Sequence, residues 1–363
     1  MKTIIIFLSF VILLCFVSCD TAEPPINDNG QDTTSHNFSF ETFTFGEHSS
    51  SSLNDVALIN DNNIWAVGEI YMNDSLGQPD PHPYGLVHWD GTEWEVKRIT
   101  AQNPSGGYSY IIPTGIFVIN PTEIWLASGG VFLFNGNNIT QAFWLVNYSG
   151  YNGGIFNNGE TAQKLWGKSS TDLYAVGNNG AMAYYNGIDW QKIESGTELD
   201  VYDIIGQKTS NGEYEIICVA AKQSISTDKK IIKLENNVPI NLPTSGIPSS
   251  IRSIWFKPGK KYYVVGSGVF TKTDITSNQS WGSIGESITQ YYTNSINGND
   301  LNDIAICGAY GELLHFNGVN WKSFRNELQF DAGSYRGIKI KDDFIIAVGY
   351  NSPKAVITIG KRN

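Results

Sequence analysis

Charge is scarce in this chain. Asp, Glu, Lys and Arg make up 16% of its 363 residues, and the 35 acidic against 24 basic side chains leave a formal net charge of −11. Phosphate backbones and anionic headgroups repel such a chain, so nucleic acid is not an expected partner. Arginine is limited to Arg98, Arg252, Arg325, Arg336 and Arg362, too few for the arginine cluster of a sialidase-like site. There are 5 His and 4 Cys. The run Asp80-Pro81-His82 offers two metal ligands, which falls short of a site. No Ser-His-Asp or Cys-His pattern occurs, nor a Gly-rich phosphate loop or a haem motif. No catalytic residue, metal or cofactor is therefore assigned. Acidic residues are scattered over many loops, so paired carboxylates for glycoside chemistry stay open.

Helical periodicity is also missing beyond the N-terminus. Present instead are 37 Gly, many Asn and 13% aromatic residues. That mix suits short strands joined by tight turns and points to an all-β fold.

The first 18 residues read as an export signal. Lys2 supplies a positive start, and the apolar run from Ile4 to Val17, broken by Ser9, is too short to span a bilayer comfortably. It ends in Phe16-Val17-Ser18-Cys19-Asp20, which resembles the bacterial lipobox with Phe16 in place of the usual Leu. The resemblance implies a diacylglycerol on Cys19 and a cell-envelope address, lipid-anchored at the outer membrane and facing the periplasm or the exterior. The alternative is ordinary secretion with cleavage nearby. Residues 19–36 hold one Ile and no Phe, Tyr or Trp. They cannot bury enough apolar surface to offset their ordering entropy, so a flexible stalk is expected there.

From residue 37 onward one unit recurs seven times. Its first signal is a short apolar strand closing in a small residue: Ile64-Trp65-Ala66-Val67-Gly68, Ile124 to Gly129, Leu173 to Gly177, Ile217 to Ala221, Tyr263 to Gly266, Ile304 to Gly308 and Ile346 to Gly349. Its second is an aromatic residue, Asn or Asp, Gly, two residues and Trp. Trp89-Asp90-Gly91-Thr92-Glu93-Trp94, Tyr185 to Trp190 and Phe316 to Trp321 fit it, and Phe134-Asn135-Gly136 has Ile139 at the Trp position. Asn-Gly and Asp-Gly close tight hairpins. A further strand lies upstream of each first signal, so each unit holds about four strands in roughly 40–50 residues, the size of a propeller blade.

The repeats resemble those of bacterial β-propeller proteins of the Kelch, Asp-box and WD-like kind. The expected fold is a seven-bladed β-propeller of four-stranded blades over 37–363. The last unit lacks its hairpin and fourth strand. The segment Phe38 to Phe45 alternates apolar and polar residues and is expected to supply that strand, closing the ring. Cys218 and Cys307 fall two blades apart in apolar runs and are expected to be buried free thiols.

Three connections are long: Tyr71 to Tyr84, Ala101 to Ile111 and Asn147 to Thr161. They carry Tyr108, Tyr110, Tyr148, Tyr151 and Asn152, residue types that offer flat stacking surfaces and adaptable hydrogen bonds. These five are the candidate ligand-binding residues, set against the alternative that the tyrosines only cover the edge of the core. The favoured function is a non-enzymatic binding or scaffold module for glycan or protein, touching the membrane only through its lipid. The alternative is a carbohydrate-active hydrolase or lyase using loop carboxylates.

Overall fold

The computed structural model describes residues 32–363 except 149, 158, 223–226, 329 and 331. The export signal, Cys19 and residues 20–31 of the expected stalk lie outside the described residues. Seven four-stranded antiparallel sheets follow one another along the chain. They form blade 1 (52–97), blade 2 (115–143), blade 3 (161–192), blade 4 (200–242), blade 5 (251–283), blade 6 (293–323) and blade 7 (333–362 with 38–45). The first strand of each blade neighbours the first strand of the next, and that of blade 7 returns to that of blade 1. The result is a closed seven-bladed propeller, as the repeats predict.

The core is divided among the blade interfaces. Trp65 and Ile116 belong to a buried cluster between blades 1 and 2, Trp125 and Leu165 to one between blades 2 and 3. Equivalent clusters fill the other five interfaces. Every blade except its outermost strand is thus covered on both sides. That is why the second strands read as continuous apolar runs and not as alternating ones.

In blades 1, 3, 5, 6 and 7 the glycine closing that run has a steric cause. In blades 1, 3, 4, 5, 6 and 7 the first strand carries an extra residue opposite the end of the second strand, a β-bulge. The bulge pushes a backbone carbonyl against the facing Cα. A Cβ on Gly68 would stand 2.2 Å from Ser52 O, one on Gly177 1.9 Å from Thr161 O, and one on Gly349 2.0 Å from Ser334 O. At these three positions the demand is for close approach and not for a positive φ, whereas blade 4 carries Ala220 at the equivalent place beside its own bulge.

The Asn-Gly hairpins close as expected, with a division of labour between the two residues. Gly91, Gly136, Gly187 and Gly318 take φ between 92° and 97°. The preceding Asp or Asn instead caps the turn: Asp90 Oδ1 accepts from the N–H groups of Thr92 and Glu93, and Asn186 Oδ1 from those of Ile188 and Asp189. The following Trp pairs across the hairpin with the aromatic residue before it, Trp94 with Trp89 and Trp190 with Tyr185.

Ring closure follows the expected route. Phe38–Phe45 pairs antiparallel with Lys354–Arg362, from Phe38 opposite Arg362 to Phe45 opposite Ala355. Phe38 and Phe40 pack on Phe324 of blade 6, and Phe43 and Phe45 on Trp94 of blade 1. One strand therefore ties blade 7 to both of its neighbours. Two residues just before residue 37 also contact the body. Thr34 donates its N–H to Asn317 O and its hydroxyl to Asn302 O, and His36 Nδ1 lies 2.8 Å from His315 Nδ1. His315, fully buried, contacts Asp303 through Nε2 at 2.7 Å, and Arg362 pairs with the same carboxylate. Cys218 and Cys307 are buried free thiols in blades 4 and 6, and burial pushes both thiol pKa values up.

Candidate functional site

The bulges that fix the glycines also build a recess. In each first strand the residue two places before the buried Val, Leu or Ile is turned toward the axis of the ring. These are Asn54, Thr114, Gln163, Tyr202, Arg252, Asn294 and Arg336, one per blade, and together they line a recess of about 470 Å³. It opens on the face that carries the blade-to-blade connections and the loops from second to third strands. Thr114, in the blade without the bulge, holds the equivalent place through hydrogen bonds to Ala127 O and Gln163 O.

The two arginines of this mouth are held by neutral groups. Arg252 Cζ lies 3.8 Å from the centroid of the Tyr202 ring, and its Nε donates to Tyr292 Oη at 3.0 Å. Arg336 donates from Nη1 to Asn54 Oδ1 at 2.7 Å and to Ser52 Oγ at 3.2 Å, with the Tyr350 ring beside it at 5.0 Å. Among the described residues neither forms an ion pair, whereas Arg98 and Arg362 both do. Burial lowers the pKa of Arg336 from the ordinary arginine value.

Below the mouth the channel wall is ionic. Lys164 reaches past Gly115 of blade 2 to Asp55 of blade 1 at 2.8 Å, and Asp55 Oδ2 accepts from the N–H of Ile116. Lys164 loses hydration there, yet Asp55 and Asp203 more than offset the loss and hold its ammonium above the usual lysine range. Burial raises Asp203, which accepts from Ser253 Oγ and the N–H of Ile254. Burial lowers Lys339, with Lys164 adding to the effect. These groups staple first strands of different blades together.

The residues singled out from sequence lie on the same face, on connections flanking blade 2. They form a wall in two parts. Tyr110 stacks on His82 at 4.5 Å, and Arg98 sits between Tyr84 and Tyr110 while pairing with Asp80. Tyr148 packs on Tyr151 at 5.3 Å and on Trp144 at 6.1 Å. Trp144 Nε1 donates to Gln102 O, which joins this part to the short hairpin bearing Tyr108 and Tyr110. Tyr108 is 75% exposed and Asn152 is exposed as well. Tyr110 thus has a packing role within its loop, and Tyr108 is the freest of the set. None of the five lines the central mouth.

The mouth was not anticipated. The position that locates it lies two before the buried Val, Leu or Ile of each first strand, where the seven repeats carry Asn twice, Arg twice, and Thr, Gln and Tyr once each. A larger recess of about 1010 Å³ lies on the opposite face and is lined by Tyr174, Tyr184, Tyr214 and Tyr262. Its polar groups satisfy one another: Tyr174 Oη donates to Asn237, Tyr262 Oη to Glu215, and Lys168 and Lys233 pair with Asp172 and Glu235. Among the described residues no group of three or more His, Cys, Asp and Glu side chains is placed to hold a metal ion.

No family model matches the sequence, and no curated protein matches it. Solved structures do. YCF48 bound to D1 peptide is 14% identical with a TM-score of 0.59, covering 89% of this chain and 95% of that one. The RRP9 WD40 repeats are 12% identical with a TM-score of 0.58, covering 92% and 99%. A catalytically inactive virginiamycin B lyase from Staphylococcus aureus with quinupristin is 10% identical with a TM-score of 0.54, covering 88% and 99%. At these identities the likeness is one of fold.

Proposed function

We propose that this propeller is a non-enzymatic docking module that takes an extended segment of a protein partner across its central mouth. The observation that carries this reading is the ring of seven residues of five types, one from each blade, around a single recess. A repeated frame favours repeated residues where packing decides. Unlike residues at one equivalent position, on the open end of the channel, fit the recognition of an asymmetric ligand. The YCF48 structure, with its D1 peptide, is an example of this fold holding a peptide. The tyrosine wall of Tyr108, Tyr110, Tyr148, Tyr151 and Asn152 rises from the same face and would extend the contact beyond the mouth. A glycan ligand for that wall remains the alternative partner. The enzymatic reading is less well supported. Carboxylates on the long loops are engaged in their own turns: Asp74 accepts from the N–H groups of Leu76 and Gln78, and Asp80 binds Arg98 and the N–H of His82.

The test is selection of a random decapeptide display library on the purified full-length protein. Peptides should be enriched, and Gln163→Trp, which plugs the mouth while sparing the arginines, should weaken their binding roughly tenfold or more with unchanged melting. Enrichment that survives the plug would move the site off the mouth. A glycan array on which sugars bind and no peptide does would replace the partner class.

The same proposal places the module on a lipid at Cys19 in the cell envelope, at the outer membrane. The acidic body offers no other affinity for a bilayer, and a lipid chain supplies about 0.8 kcal/mol per buried methylene. Cys19→Ala should therefore appear in the soluble fraction or stay unprocessed. Membrane retention of a processed Cys19→Ala protein after detergent-free fractionation would refute the anchor.

A further inference from the structure

We propose that Arg252 and Arg336 form a carboxylate-binding clamp in the mouth, and that the docked segment is an acidic peptide. This rests on the reading of the mouth as a peptide-docking site and names the chemistry it selects.

The argument begins with the missing counter-ions. The chain carries an excess of acid, at −11. Arg98 and Arg362 pair with carboxylates, while Arg325 at the rim rests on Tyr310 O and the Tyr291 ring, so what sets Arg252 and Arg336 apart is that two unpaired guanidinium groups share one recess. Arg252 and Arg336 instead sit in a half-enclosed recess with only neutral partners: the Tyr202 and Tyr350 rings, Tyr292 Oη, Asn54 and Ser52. Those partners fix the guanidinium planes without neutralising them. Among the described residues, the Nη1 and Nη2 groups of Arg252 and Nη2 of Arg336 have no hydrogen-bond acceptor. A guanidinium held beside an aromatic ring by a fixed hydrogen bond, with donors left over, is preorganised for binding a carboxylate. The loss of hydration that lowers the pKa of Arg336 is a cost that an anionic ligand would offset.

The surroundings favour the same sign. The two arginines come from blades 5 and 7 and flank Asn294 of blade 6. Asn294 spends its Nδ2 on Ser334 Oγ and Tyr335 O, both at 2.7 Å, so it is a fixed spacer between them. The remaining charges at the lining are Lys164 and Asp203. Lys164 is paired with Asp55, and Asp203 is held by Ser253 and the Ile254 N–H deeper in the channel. The mouth is therefore a positive spot in a negative molecule, and field lines converge in such a recess. The rest of the body repels long acidic chains, which confines the acid to a short stretch of the ligand.

The experiment uses an alternating Glu-Ala decapeptide and its Gln-Ala counterpart, each with a free and an amidated C-terminus. Binding to the parent, to Arg252→Gln/Arg336→Gln and to Gln163→Trp is measured at low and high salt. The Glu-Ala peptide should bind the parent roughly tenfold or more tightly than Gln-Ala, and the double variant should erase the difference. Equal affinity of the free and amidated Glu-Ala forms assigns the clamp to side-chain carboxylates. Loss on amidation of both peptides alike would put a C-terminal carboxylate in the clamp and overturn the acidic-peptide claim. Should the double variant not fold, the salt dependence of the parent decides, since a charge-assisted clamp weakens as salt rises. The inference falls if a folded double variant keeps the preference, or if the Glu-Ala peptide fails to bind the parent at millimolar concentration. It also falls if polygalacturonate binds through the arginines and no peptide does. Equal binding of Glu-Ala and Gln-Ala, both lost in Gln163→Trp, would leave the docking site standing and remove only its acid preference.

Discussion

Removing the strand Phe38–Phe45 should destabilise the propeller by several kcal/mol and broaden its unfolding. The strand makes a full antiparallel ladder with Lys354–Arg362. It also brings Phe38 and Phe40 onto Phe324 and packs Phe43 and Phe45 around Trp94. Burying a Phe side chain is worth roughly 1.5–3 kcal/mol, and four are at least partly buried here. The deletion leaves the edge of Lys354–Arg362 open to pairing with a second copy, so aggregation on heating is expected as well. Thermal and urea melts of the deletion variant check this. A variant that melts with the parent would mean that the ladder contributes nothing to closure.

The second large effect concerns a single methyl group. Gly177→Ala should cost on the order of 3 kcal/mol or more, because its Cβ would stand 1.9 Å from Thr161 O, a backbone atom that cannot swing aside. To relax, the bulge at Ala162–Lys164 must flatten, which moves Gln163 out of the mouth and Lys164 away from Asp55. Gly282→Ala is the control. Its Cβ would meet nothing closer than 3.8 Å, and a change within about 0.5 kcal/mol is expected. Comparable melting shifts for the two substitutions would refute the bulge as the reason for the glycine.

This pair of glycines marks what the sequence makes legible. Gly177 belongs to a signal that recurs because the same steric demand recurs in most blades, so the frame could be read from repetition alone. The hairpins at Asp90, Asn186 and Asn317, and the alternation of Phe38 to Phe45, are local patterns of the same kind. Arg252 and Arg336 were visible only as two of too few arginines. They are 84 residues apart in number, and the bulges that turn them toward one axis depend on backbone register, which leaves no mark on the arginines themselves. The tyrosines were found because insertions stand out from a repeat. What they touch was hidden, and Tyr110 packs more tightly on His82 than an exposed loop position suggests. The docking of Thr34 and His36 was hidden too, since a polar segment that buries a few hydrogen bonds reads in composition like one that buries none.

That docking has a directional consequence. Thr34 and His36 meet blade 6 at Asn302, Asn317 and Asn320, which lie on loops between first and second and between third and fourth strands. Those loops belong to the face opposite the mouth. If a lipid holds Cys19, the tether joins the body on the face away from the mouth. The 14 residues from Cys19 to Asp32 span at most about 45 Å when fully extended. The anchor would thus attach at the end of the channel farthest from the arginines and leave their mouth unobstructed by the tether.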